Sequence, residues 1–270
     1  MMPATRPKPL RPTIFWRIAE DIPTGLYWAL VALSVVIPLA LWWLMAIALN
    51  SRFLPAPPAV LQATLTLWQN GVLLQDAIAS FLRVTVGFSL GALLAIPLGI
   101  GMGAFASIRA LGEPAIGILR YMPAPAFIPL LILYLGIDEA PKVVLIFIGT
   151  LFFNTLMIMD AVKFVPKDLI ETTYTLGGSR WQVLRQVIVP YVVPSIIDAL
   201  RINIAAGWNL VVVAELVAAD VGLGKRITIA QKFLRTDEIF ACLLVLGLIG
   251  FTLDLIFRAV LRWRCQWAFD

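Results

Sequence analysis

Histidine is absent from the 270 residues, and cysteine occurs only twice, at Cys242 and Cys265. Without histidine, the usual transition-metal sites and the histidine-based nucleophilic triads are excluded. If the chain between the two cysteines is helical, they lie about 34 Å apart at 1.5 Å per residue, far beyond disulfide reach. Charge is also scarce, since Asp, Glu, Lys and Arg make up 14% of the residues while 61% are hydrophobic. With a mean hydropathy of +0.92, too little polar surface is left to coat a soluble globule. A soluble enzyme, a disordered chain and a secreted disulfide scaffold are therefore all excluded, and the chain belongs in a bilayer. The net charge of +5 does not call for nucleic acid, because the basic residues sit at the ends of apolar runs, where membrane topology places them.

Stretches poor in charge give the spans, each needing about 20 apolar residues. They are expected over 26–49, 84–108, 115–137, 143–159, 199–219 and 239–258. A signal peptide is the rival reading of the first, but its apolar core should be only about 7–15 residues. The third holds Pro123, Pro125 and Pro129, and Arg120 lies near its start. The fold class is an all-α polytopic membrane protein of about six spans. It is read as a basic leader (1–25), one transmembrane domain (26–258) and a basic tail (259–270), with the connection at 160–190 set apart.

Six spans place both termini on one side. That side carries twelve Lys and Arg: four in the leader (Arg6, Lys8, Arg11, Arg17), one after span two, four in the 160–198 connection and three in the tail. The other side carries seven: Arg52, Arg83, Lys142, Lys225, Arg226, Lys232 and Arg235. The richer side is the expected cytoplasmic one. On the outer side, 58–82 follows a Pro-Pro pair and carries Leu61, Leu65, Trp68 and Val72 at helical spacing, an interfacial helix. In span two, Gly87, Gly91, Ala95, Gly99 and Gly103 form a stripe at every fourth position, which lets another helix approach closely.

No energy source is encoded. Gly222-Leu223-Gly224-Lys225 fails the phosphate-loop pattern twice, with Ala219 where a glycine is needed and Arg226 where Ser or Thr is needed. The spans carry no chain of midplane carboxylates for a proton-driven carrier. Asp138-Glu139 and Asp237-Glu238 read as solvated loop pairs. Arg201 and Glu215 are 14 residues apart and cannot pair within one helix.

The connection DLIETTYTLGGSRWQVLRQVIVPYVVP, 168–194, is different. A short helix over 168–176 is stopped by Gly177-Gly178, and a second begins at Ser179, which forms a capping box with Gln182. This stretch resembles the EAA motif of ABC importer permeases: EAA, three residues, G, nine residues, I-x-L-P. Glu171, Gly177 and Pro190 match, Val187 and Val189 stand for Ile and Leu, and Thr172 and Thr173 replace the two alanines. Over about 50–260, LPAPPAVLQA (54–63), RYMPAPAFIPLLILYLGI (120–137), LRINIAAGWNLVVVAEL (200–216) and the following Gly222-Leu223-Gly224 look like the nitrate/sulfonate/bicarbonate branch. QKFLRTDEIF at 231–240 looks most like its nitrate and bicarbonate members.

The resemblance implies a type I importer permease in the bacterial inner membrane, without catalysis of its own. A second copy, two cytoplasmic ABC ATPases that carry ATP and Mg, and an outer binding protein complete the machine. Glu171, Thr172, Thr173, Leu176, Gly177, Gly178 and Pro190 would couple it to the ATPases. The expected solute is nitrate or bicarbonate, with an organosulfonate such as taurine next. Asn154, Asn203, Trp208 and Asn209 are candidate pathway donors, with Arg201 or Arg120 supplying positive potential; interhelical bonding is the competing reading for each Asn. Glu215 would repel an anion and is read as a gate or a structural contact. The rivals of another class are a stand-alone channel and an ion-driven carrier, neither of which needs a docking helix.

Overall fold

The computed structural model describes residues 22–49 and 53–268, so the four cations of the predicted basic leader lie outside the described residues, as does Arg52. The chain falls into two compact units, Met1–Pro58 and Ala59–Asp270. In the first, α1 (Thr24–Leu49) is apolar on every side, and Ala46 is its one buried residue among those described. Such a helix suits a lipid surround. The indole Nε1 of Trp42 donates to the Pro55 carbonyl at 3.1 Å.

α2 (Pro57–Gln69) begins at the unit boundary and ends at Gly71, whose φ of +73° is the left-handed conformation that glycine tolerates. The expected interfacial helix over 58–82 is therefore half right. Residues from Val72 onward belong to α3 (Val72–Ala104), a helix of 33 residues. The span extends past Arg83 because that charge is paired inside the protein, as described below.

α3 lies against α6 (Glu139–Lys163), and the small-residue stripe is the seam. A Cβ added at Gly87 would meet Ile146, and one at Gly91 would meet Thr150. Gly99 faces Ile158 in the same way, and Gly103 faces Val162. Each pair is separated by 59 residues, so the two helices run parallel in a fixed register. Parallel neighbours require the chain between them to return across the bundle.

That return is a broken span. α4 (Ala106–Leu119) and α5 (Ile128–Leu135), joined through a 3-10 turn at Ala124–Phe127, bend by 83°. The straight span expected over 115–137 is corrected accordingly, and Arg109, expected in a turn, lies in α4. Pro123 and Pro125 lack the N–H groups that would carry one helix through the bend. Near one end of α6, Lys163 reaches Glu113 of α4 at 3.4 Å; midway along, Gly149 faces Ala124. The pair thus climbs the length of α6.

After α6 come α7 (Lys167–Thr175), a single turn α8 (Arg180–Gln182), a π-helical stretch (Val183–Ile188) and α9 (Val189–Ala218). In the π stretch the Val189 N–H donates to the Leu184 carbonyl, five residues back. Pro190 follows directly, and its ring would crowd the Gln186 carbonyl in a regular α-turn. Val183 and Ile188 bury their side chains with Ala95, Ile158, Val162, Val165, Val192 and Ile196, which roots this stretch in the α3–α6–α9 core. α10 (Leu223–Lys232) and α11 (Thr236–Arg264) complete the fold, and α11 carries helix six residues beyond the span expected to end at 258.

Candidate functional site

At one end of the bundle α7 projects with no buried residue. Its exit is a Schellman turn: the Gly178 N–H donates to the Thr173 carbonyl and the Gly177 N–H to the Tyr174 carbonyl, both at 2.9 Å. Gly177 sits at φ +84°, as that turn requires. A Cβ on Gly178 would lie 2.7 Å from the Thr173 methyl, so Thr173 packs beneath the turn, whereas Thr172 faces out. The next segment is capped as its sequence foretold. The Gln182 N–H donates to Ser179 Oγ at 3.4 Å, and the Ser179 N–H donates to Gln182 Oε1 at 2.7 Å.

What α7 displays is amphipathic. Leu176 is 83% exposed, and Leu169 and Tyr174 are also uncovered. Asp168, Glu171, Thr172, Thr175 and Leu176 surround a shallow depression of about 400 Å³. The Glu171 carboxylate forms no hydrogen bond or ion pair with the described residues. Behind α7 a second depression is walled by Phe105, Ile170, Tyr174, Val183 and Leu184. Pro190 lies exposed about three turns beyond the Ser179 cap.

The opposite end is closed by a buried polar network that joins α3, α6, α9 and α10. Asp76, Ser80 and Arg83 project from one face of α3. Arg83 Nη1 donates to Glu215 Oε1 at 2.6 Å and to the Val221 carbonyl at 2.7 Å. Its Nη2 donates to Glu139 Oε1 at 2.7 Å, and Lys142 Nζ reaches the same oxygen at 2.9 Å. Ser80 Oγ donates to Glu215 Oε1 at 2.8 Å, while Gly224 N–H donates to Oε2 at 2.8 Å. Asp76 accepts from the Gly222 N–H at 2.9 Å and from Arg226 Nε at 2.8 Å. Three carboxylates meet three cations, and Glu215 is fully buried. The free N–H groups that open α10 are thus satisfied by side chains of α3 and α9.

The proposed pathway residues fall in different surroundings. Asn203 Nδ2 donates to Asn154 Oδ1 at 2.8 Å, tying α9 to α6, the interhelical bond foreseen as the competing reading. Trp208 is buried with Val84, Phe88, Ile146 and Val211. Arg201 is engaged by Asp198 at 2.9 Å and Asp254 at 3.4 Å, so it is not a free cation. Asn209 stands apart: it is exposed, on the face of α9 that also carries Ile202, Ala205 and Leu216.

Residues 87–264 match the family described as the inner membrane component of binding-protein-dependent transport systems. The chain belongs to that family. It is 38% identical over 235 residues to a probable ABC transporter permease protein of Brucella melitensis, covering 87% of this chain and 95% of that one. With the taurine transport system permease protein TauC of Escherichia coli it shares 34% identity over 241 residues, covering 87% and 88% of the two chains. Among solved structures, the inward-facing MetNI methionine ABC transporter aligns at TM-score 0.59 and 21% identity, over 71% of this chain and 97% of that one, which shows a shared fold.

The chain is therefore a multi-pass inner-membrane permease subunit of an ABC importer. In this permease the segment around α7 is legible from local chemistry, whereas the polar network is not. From sequence, Arg83, Lys142 and Arg226 count only as outer-side charges, and Glu139 reads as a solvated loop charge. In the structure Glu139 opens α6 and binds Arg83 and Lys142. Glu215 alone is expected as a gate or structural contact. The signal that was available is the spacing of Asp76, Ser80 and Arg83 at i, i+4 and i+7, one face of a helix.

Proposed function

We propose that this permease moves a small organosulfonate of the taurine class inward, driven by ABC ATPases that dock on α7. In this reading α7 and both termini are cytoplasmic, the polar network is at the outer end, and an outer binding protein delivers the solute. A second copy completes the pathway across the exposed face of α9. The observation that carries the reading is α7 itself: an amphipathic helix fixed at its exit by the Schellman turn and capping box, with Leu176 and the Glu171 carboxylate uncovered. A soluble partner supplies what covers such a patch. The likeness to the taurine permease favours the organosulfonate over nitrate or bicarbonate.

The test is co-purification of the tagged permease from its native membranes, paired with taurine uptake in the wild type and in Glu171→Lys. Stoichiometric recovery of an ATPase, and uptake that collapses in the variant while the permease still inserts, are the expected results. Recovery of the wild type without an ATPase would overturn docking and bring forward a stand-alone channel or carrier. An ATPase recovered without taurine uptake would remove the substrate assignment alone.

A further inference from the structure

Between Lys142 and Asp160, α6 carries no charge, and Gly149 lies within that interval. Ala124 of the broken span and Leu210 of α9 both meet a Cβ built on Gly149, so the break and α9 come together there. Arg120 precedes Ala124 by four residues, which keeps it within roughly 14 Å of that contact by chain reach. Asp160 lies about 16 Å farther along α6. Arg120 is therefore set inside the apolar interval.

Its electrostatic situation differs from that of one cation on each of α3, α6, α9 and α11. Arg83, Lys142, Arg201 and Arg258 each have a carboxylate within 3.4 Å. Arg120 has none among the described residues; Nη2 donates to the Tyr121 hydroxyl at 3.0 Å, and its guanidinium stacks 4.8 Å from that ring. Tyr121 is 76% exposed. Asn209, which immediately precedes Leu210, is exposed, and its side-chain amide has no hydrogen-bond partner among the described residues. An unpaired guanidinium beside lipid tails is costly even on insertion scales, so such groups face a watery cavity. Irregular backbone at membrane depth is tolerated for the same reason only where it is covered by protein or lines a cavity.

We propose that Arg120, the Tyr121 hydroxyl and the Asn209 amide form an oxyanion subsite on the transport pathway. The inference rests on the permease reading and names the group that reads the solute's charge. The planar guanidinium offers a fork of donors to two oxygens of a sulfonate, and its charge is left uncompensated until the anion arrives. A phospholipid phosphate has the same chemistry and is the alternative source of the oxyanion.

The test uses Met122→Cys in native membranes, with and without ATP, because Met122 is exposed whereas Cys242 and Cys265 are buried. The probes are methanethiosulfonates bearing either an ethylsulfonate or an ethyltrimethylammonium group. Normalised to their rates with a free small thiol, the anionic probe should be favoured over the cationic one, Arg120→Gln should cut that preference by about tenfold, and Arg120→Lys should keep most of it. Equal normalised rates for the two probes would overturn the subsite. Labelling by neither probe would also overturn it and, with a phospholipid lost from purified Arg120→Gln, would assign the guanidinium to a headgroup. This readout needs no transport, so it stands even where taurine uptake fails. Where the wild type takes up taurine, Arg120→Gln should lose uptake and still recover the ATPase.

Discussion

The two ends of this permease treat polar groups in opposite ways. At the α10 end, six charged side chains and three backbone N–H groups close on one another, and Glu215 is wholly buried. At the α7 end the backbone is equally well satisfied, but the side chains are left over: Leu176 stands in the open and Glu171 has no described partner. A network that consumes its own donors and acceptors is a fixed joint. A segment that is rigid in backbone and unspent in side chain is built to meet something else.

The comparison can be broken most sharply at Arg83. Arg83→Met should leave Glu215 buried and unpaired, at a cost of about 3–5 kcal/mol. The expected outcome is a large drop in detergent melting temperature and in membrane abundance, whereas Glu171→Lys should melt like the wild type. Equal melting of the two variants would erase the distinction between the ends. Next in size is the α3–α6 seam. A Cβ on Gly99 would lie 2.7 Å from Ile158 Cβ and 2.8 Å from the Thr155 carbonyl, neither of which can swing away. Gly99→Ala should cost about 1–3 kcal/mol, read as a lower melting temperature.

Smaller effects are expected at the α7 end, and they should stay local. Gly177→Ala places a side chain at φ +84° in open space, so the strain is conformational, about 1 kcal/mol. Faster amide exchange confined to α7 and its exit is the expected signature, and protection equal to wild type would contradict it. Ser179→Ala removes one half of the capping box and should cost about 0.5–1 kcal/mol. Amide exchange at Gln182 is the place to look, with the melting temperature hardly moved.

These differences also explain what could be read from the chain. The exit of α7 is built from contacts three to five residues apart, so Gly177, Ser179 and Gln182 announce it directly. The small-residue stripe was equally plain, because its period of four needs no knowledge of the partner. The network joins residues as far apart as Asp76 and Arg226, and each charge alone looked like the end of a span. For that reason α3 was started too late, at 84 rather than Val72. The break in the third span was hinted at by its prolines, but its direction emerged only from the parallel register of α3 and α6.

That register has a mechanical meaning. Glycines recurring every fourth residue meet branched or hydroxyl side chains recurring every fourth residue, like teeth in a rack. A shorter slip would drive Ile146, Thr150, Ile158 and Val162 into positions where α3 carries Phe88, Ala92, Ile100 or Ala104 instead. The next free notch lies about 6 Å away, four residues at 1.5 Å each. α3 and α6 therefore move as one strut, and whatever stroke the permease makes is taken up by the helices that pivot around them.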